Sequence, residues 1–432
     1  MSGRPLGWVG IARLGLVQAA LGAIVVLTTS TLNRVMVVEL RLAASVPGAL
    51  VGLHYALQLL RPRWGHGADA GGRRTPWIVG GMAVLGAGGV LAAAATWAMA
   101  QSLLAGLLIA VAAFALIGIG VGSAGTALLT LLADQVEPER RPAAAAVVWI
   151  TMIVGFIVTT MLTSHLLDPF SFARLVTISA GVSGAALIVT VFALLGVERE
   201  HGRRPAEPKP RFADALRTVW ADPEARGFTW FIAASMLAYS AQDLILEPFA
   251  GLVFHLSPAQ TTAITSLQNG GVLCGMLVAA LLGRVIGRGS IAGMRQLTAI
   301  GCLLSGLALA AIALSGVSAS GATLRPAIAG LGFANGLFAV SAVGLMMSMA
   351  GREGSAGVRM GVWGAAQAVA FGGGGLLGAV AVDAVRLLTG ATVPAYAAVF
   401  CTEGVLFLWA AGMAVQVPRS ARPSLIHAVA AE

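Results

Sequence analysis

A charged island between two long apolar runs does most to limit what this chain can become. Residues 61–76 read RPRWGHGADAGGRRTP, and hydrophobic stretches long enough to cross a bilayer lie on both sides. A hydrocarbon core needs about 20 apolar residues of helix to span it, so the island reads as a short water-facing turn between two spans. Within it Gly65, Asp69, Gly72, Arg73 and Arg74 have the spacing G-x-x-x-D-x-x-G-R-R. Glycines permit a tight reversal, Asp69 can accept from helix N-termini or arginines, and the Arg pair holds the turn on the cytoplasmic side. A plain basic turn with incidental glycines would look the same.

Composition agrees with the island. Of 432 residues, 58% are hydrophobic and 10% charged, against about 25% charged in soluble domains, which makes this a polytopic membrane protein. The net charge of +9 falls in turns between spans rather than on a soluble basic face, so nucleic acid is not an expected partner. Cys274, Cys302 and Cys401 sit in apolar stretches without metal-ligand spacing and read as small core residues. The first apolar run is too long for the core of a cleavable signal peptide.

The spans follow in order. The first, residues 12–39, ends in TTSTLNRVMVVEL, which places Asn33, Arg34 and Glu39 near the outer interface, where Arg34 can snorkel or find a carboxylate. The second, near 43–60, carries His54 and Gln58 four apart on one face. Spans at 77–99 and 103–133 follow, the latter with Gly118, Gly120, Gly122 and Gly125. Such glycines let helices approach closely and would also admit a flat ring. Spans at 143–166 and 173–197 complete a first set of six. Residues 198–226 form the longest polar segment, with RFADALRTVW at 211–220 spaced as a surface amphipathic helix. It reads as a solvated connector, with a regulatory site as the alternative.

Six more spans are expected at 227–252, 260–283, 292–315, 324–350, 359–386 and 394–417, followed by a tail from 418. GRVIGRG at 283–289 repeats the glycines and arginines of the first island without its Asp. Two helical halves, 1–197 and 227–417, therefore flank the central loop. In this topology the great majority of the 27 basic residues lie on one side, leaving Arg34, Arg41, Arg174, Arg325 and Arg386 on the other. That bias puts both termini in the cytoplasm.

Charges inside spans cost about 2.5–3.5 kcal/mol each on insertion scales, so those that remain are functional candidates. The densest group is SAQDLILEPFAG at 240–251, with Asp243 and Glu247 one turn apart. These carboxylates can serve as a gate paired with Arg34, as a proton-coupling site, or as a ligand contact. Glu403, Gln268 and Asn269 belong to the same inventory, while Asp383 sits where it can reach the interface. A nucleotide-binding loop, zinc signature, CxxC pair and nucleophile triad are all missing, so catalysis has little support.

The island resembles the loop between the second and third helices of the major facilitator superfamily, departing from it at Ala70 where a basic residue is usual. That resemblance implies twelve helices in two six-helix halves. LTTSTLNRVMVVEL at 27–40, LHYALQLLRPRWGHGADAGGRRTPW at 53–77 and QDLILEPFAGLVF at 242–254 further resemble the PucC/LhaA family of purple phototrophic bacteria. The likeness covers essentially the whole chain. It implies a bacterial inner-membrane protein that helps assemble light-harvesting complexes, with bacteriochlorophyll as carried pigment. Antenna polypeptides, bacteriochlorophyll synthase and membrane lipids are the implied partners.

A bacteriochlorophyll magnesium takes an axial ligand. His54, with Gln58 beside it, is the best-placed imidazole, and a packing role is the alternative. Three functions are thus weighed: an antenna assembly factor and pigment carrier, a proton-coupled transporter using Asp243 or Glu247, and, more distantly, a pigment-synthesis enzyme.

Overall fold

The computed structural model describes residues 6–60, 73–137, 140–198, 217, 220–285, 291–350 and 356–416. Among them the regular structure is helical. The first half contains α1 (Trp8–Glu39), α2 (Ser45–Gln58), α3 (Thr75–Gln101), α4 (Leu103–Gln135), α5 (Arg141–Leu166) and α6 (Phe172–Leu194). The second contains α7 (Pro223–Phe254), α8 (Pro258–Val285), α9 (Ile291–Val317), α10 (Gly321–Ala350), α11 (Ala356–Thr389) and α12 (Thr392–Gln416).

Ten of the helices are long and apolar enough to cross a membrane. The other two are α2, which ends at Gln58 rather than at residue 60, and α7, whose length suffices but whose middle carries Gln242, Asp243 and Glu247. The long central loop's expected amphipathic helix lies outside the described residues apart from Arg217 and Trp220, as do Gly65, Asp69 and Gly72 of the first island and residues 286–290 of the second.

Local chemistry sets the helix ends. Ser171 accepts from Arg174 N at 3.1 Å to cap α6, and Asp222 accepts from Glu224 N at 2.9 Å to cap α7. Proline stands in the first turn of α3, α5 and α7, where its missing N–H costs nothing. Gly390, with φ of 68°, makes the reversal between α11 and α12.

Helix pairing repeats between the halves. In the first, α1 packs on α5 and α6, α4 on α2 and α3, and α3 on α6; in the second, α7 packs on α11 and α12, α10 on α8 and α9, and α9 on α12. Each pair in one list has its counterpart in the other, the signature of an internal structural repeat. The halves meet where α5 touches α8, where α2 touches α11, and where the last turns of α1 touch α7. The two largest buried apolar clusters follow the same division, one built almost wholly from residues 6–197 and one from 225–414.

Glycine drives the tightest contacts. Gly271 and Gly275 of α8 face Gly332 and Gly336 of α10 in two G-x-x-x-G registers, so close that a Cβ on any of the four would run into the other helix's backbone. Several glycines of α4 and α11 serve the same purpose: Gly118 abuts His54 and Leu57, Gly120 abuts Leu85, and Gly374 abuts Leu237 and Ser240.

Candidate functional site

The polar residues singled out along the first and seventh helices converge on one seam between the halves, at the end away from the termini. Pro248 organises it. Inside α7 it removes the N–H that would bond the carbonyl four residues back, Leu244. Asn33 of α1 replaces that donor, its Nδ2 lying 2.5 Å from Leu244 O. A helix break in one half is thus satisfied by a side chain of the other.

One residue earlier on α7, the Glu247 carboxylate accepts from Ser30 of α1 and from Thr265 of α8. Ser30 and Thr265 lie 3.0 Å from each other, and Thr31 meets Thr262 at 3.2 Å. Glu247 is 2% exposed, so these hydroxyls compensate a carboxylate that would otherwise be costly in the interior.

Arg34 departs from the sequence expectation. It is 2% exposed rather than at an interface, and it pairs with Glu39, not with Asp243 or Glu247. Its Nη2 donates to Leu256 O at 2.6 Å. The reason lies in the backbone of α1, which widens into π turns at Leu27–Thr31 and Val35–Glu39. A π turn bonds residues five apart, as Leu40 N does to Val35 O, and so brings Glu39 over Arg34, an i,i+5 pair that an ordinary α-helix keeps apart. Gly251 leaves room for the guanidinium, since a Cβ there would stand 3.2 Å from Arg34 Nε and Nη2.

Asp383 extends the seam. Instead of reaching the interface, its carboxylate accepts from Ala44 N at 3.0 Å and Ser45 N at 2.7 Å, closing the N-terminus of α2 from α11.

Asp243 lies one turn from Glu247 but is exposed on α7. Glu403 is buried in α12. Gln268 and Asn269 are half-buried in α8, where Asn269 bonds its own helix at Thr265 O, 2.9 Å away. His54 and Gln58 bond each other at 2.9 Å through their Nε2 atoms, buried where α2 presses on Gly118 of α4. They lie on a different helix pair from the seam. In the first island, Arg74 bonds Asp134 at 3.1 Å, and Glu198 accepts from Arg74 N and Thr75 N at 2.5 and 2.8 Å to cap α3. Glu198, Ser30 and Thr265 are the seam and cap residues that sequence reasoning passed over, and Asp383, named there, has a capping role it did not foresee. The hydroxyl run TTST at 28–31 in an otherwise apolar helix is the visible trace of Ser30. Among the described residues no three His, Cys, Asp or Glu side chains gather as a metal site.

Comparison with known proteins fits this geometry. The family model described as PUCC protein matches residues 31–422. The chain is 50% identical over 416 residues, 95% of it and 96% of the relative, to the "Bacteriochlorophyll synthase 44.5 kDa chain" of Rhodobacter capsulatus. It is 31% identical to "Protein PucC" of Rhodovulum sulfidophilum, covering 87% of this chain and 86% of that one. Among solved structures, a bacterial homologue of the lysosomal transporter Spinster superposes with a TM-score of 0.69 at 14% identity, covering 96% of this chain and 98% of that one. The nucleoside transporter NupG gives 0.70 at 14% identity, covering 94% and 99%. These likenesses establish the major facilitator fold of an integral membrane protein. By the family match over most of its length and its half-identical relative, the chain belongs to the PUCC protein family.

Proposed function

We propose that the protein is a membrane assembly factor for light-harvesting antenna complexes that binds bacteriochlorophyll or delivers it to antenna polypeptides. The observation that carries this reading is the near full-length, 50% identity to a relative named for bacteriochlorophyll synthase in a chain whose buried polar groups tie helices together. The convergent groups at the seam are hydroxyls bonded to a carboxylate and an amide bonded to a backbone carbonyl. Such a constellation suits a joint between two rigid halves better than a reaction centre. An enzyme role is not part of this reading.

We assign His54 and Gln58 to packing, a reading supported by the bond between their Nε2 atoms and by the close packing of α2 on α4 at Gly118. Pigment and antenna contacts belong in this reading on the lipid-facing helices, because an antenna polypeptide is itself a membrane helix. Both termini face the cytoplasm of the bacterial inner membrane in this proposal, and bacteriochlorophyll synthase is a candidate partner.

Deleting the gene in its phototrophic host tests the reading. The near-infrared bands of assembled antenna should fall while extractable bacteriochlorophyll continues to be made. Loss of pigment synthesis itself, with antenna lost only in consequence, would point to an enzyme. A second reading, proton-coupled transport of a small solute, draws on Glu247 in the seam and Asp243 beside it. It requires solute uptake that Glu247→Gln abolishes in a folded protein.

A further inference from the structure

The interior of the second half holds a set of polar groups that the seam does not use. Phe249 of α7 packs on Tyr396 of α12, their ring centroids 5.6 Å apart. The two helices run in opposite directions. Seven residues before Phe249 stands Gln242, and seven after Tyr396 stands Glu403. Seven residues are about two helical turns, so both side chains return to the same interface at the same depth. Gln242 is 0% and Glu403 2% exposed.

A second pair of helices reaches the same level. Gly404, next to Glu403, touches Gly306 of α9 so closely that a Cβ on Gly306 would lie 2.9 Å from Gly404 O. The neighbouring Ser305 donates to Asn335 Oδ1 of α10 at 2.8 Å. Both carboxylate oxygens of Glu403, both amide atoms of Gln242 and the Nδ2 of Asn335 are buried without a hydrogen-bond partner. Four helices therefore bring to one level a buried carboxyl and two amides with hydrogen-bonding capacity left over. In a membrane span that arrangement asks for an occupant.

We propose that Glu403 is a buried proton-holding site of this protein. A carboxylate there would be a buried charge with no hydrogen-bond donor on either oxygen. Among the described side chains, the titratable groups on the helices packed against α12 are Glu224, Arg226, Tyr239, Asp243 and Glu247 of α7, Arg295 and Cys302 of α9, and Asp383 and Arg386 of α11, with Tyr396 and Cys401 on α12 itself. None of them bonds either oxygen of Glu403. A proton on Glu403 removes the buried charge and needs no space, unlike a metal ion.

Gln242, which shares the interface with Glu403, lies two residues before Leu244, whose carbonyl Asn33 holds across the seam.

Infrared spectroscopy of the whole protein in nanodiscs tests this. The wild-type spectrum at neutral pH should contain a carbonyl band of a protonated carboxyl. Glu403→Gln should remove intensity equal to one carboxyl per chain, while Glu247→Gln should leave that band in place. Gln242→Leu should shift the band's frequency without removing it, which keeps the test usable if Glu403→Gln does not fold. A folded Glu403→Gln protein with an unchanged band would overturn the proposal. So would a Gln242→Leu protein whose spectrum is superimposable on wild type, or a band that sodium chloride abolishes and choline chloride restores, which would make the occupant a cation.

Discussion

Asn33 of α1 donates its Nδ2 to the carbonyl of Leu244 in α7, 2.5 Å away, and that carbonyl is the one Pro248 deprives of its helical partner. A defect in the second half is repaired by the first. Asn33→Ala should therefore leave a buried carbonyl unsatisfied and cost about 1–3 kcal/mol. Pro248→Ala restores an N–H four residues after Leu244 and should recover much of that loss in the double variant. Thermal unfolding of the two single variants and the double variant checks this, and strictly additive effects would contradict it.

Glu247 joins three helices through Ser30 and Thr265. Replacing it with Ala removes an acceptor shared by both hydroxyls, and hydrogen bonds to a charged group contribute about 1.5–3 kcal/mol each. The seam should open more often. Labelling of a Leu256→Cys reporter by an impermeant thiol reagent, in a background lacking Cys274, Cys302 and Cys401, should speed up about 10-fold or more, since 1.4 kcal/mol corresponds to a factor of ten. Unchanged labelling would show that the hydroxyls do not hold the halves together.

The cap that Asp383 places on α2 is worth about 0.5–2 kcal/mol by analogy with other helix caps. Asp383→Ala should lower the melting temperature and Asp383→Asn should retain part of the stability, because an amide oxygen still accepts from Ala44 N or Ser45 N. Equal losses in both variants would assign the effect to charge rather than capping.

Packing at the glycine registers is equally specific. Gly275→Ala sets a Cβ against the Phe333 carbonyl, whereas Gly330, on the other side of α10, has nothing within 4 Å of an added Cβ. Overpacking costs about 1–3 kcal/mol. Gly275→Ala should destabilise by that amount and Gly330→Ala should be neutral or slightly stabilising, as an added helix former would be. Detergent stability by size-exclusion fluorescence separates the two.

The sequence disclosed the twelve helices and their division into halves because membrane spans announce themselves by length and apolarity. Even α7, too polar in its middle for a simple hydropathy criterion, was legible from its place in the repeat. Arg34 was legible as a buried-charge candidate but not in its pairing. Its partner depends on a π turn at Val35–Glu39, and helix periodicity assumes 3.6 residues per turn. Ser30, Thr265 and Asp383 were obscured for a different reason. Hydroxyls and interfacial carboxylates occur in many spans, and only the contact between halves gives these three a role. His54 stands out in the sequence as a lone imidazole within a span, and its bond to Gln58 one turn away is what the structure adds.

The proposed handling of bacteriochlorophyll during antenna assembly is tested most directly by an absorption spectrum of the protein. The protein would be purified in mild detergent from pigment-producing membranes, with a His54→Ala variant beside it and a known pigment complex as the control. The expected result is a near-infrared band that co-purifies with both preparations, retained in the variant because His54 is bonded to Gln58. Pigment-free protein in both, under conditions that leave the control complex intact, would contradict the claim.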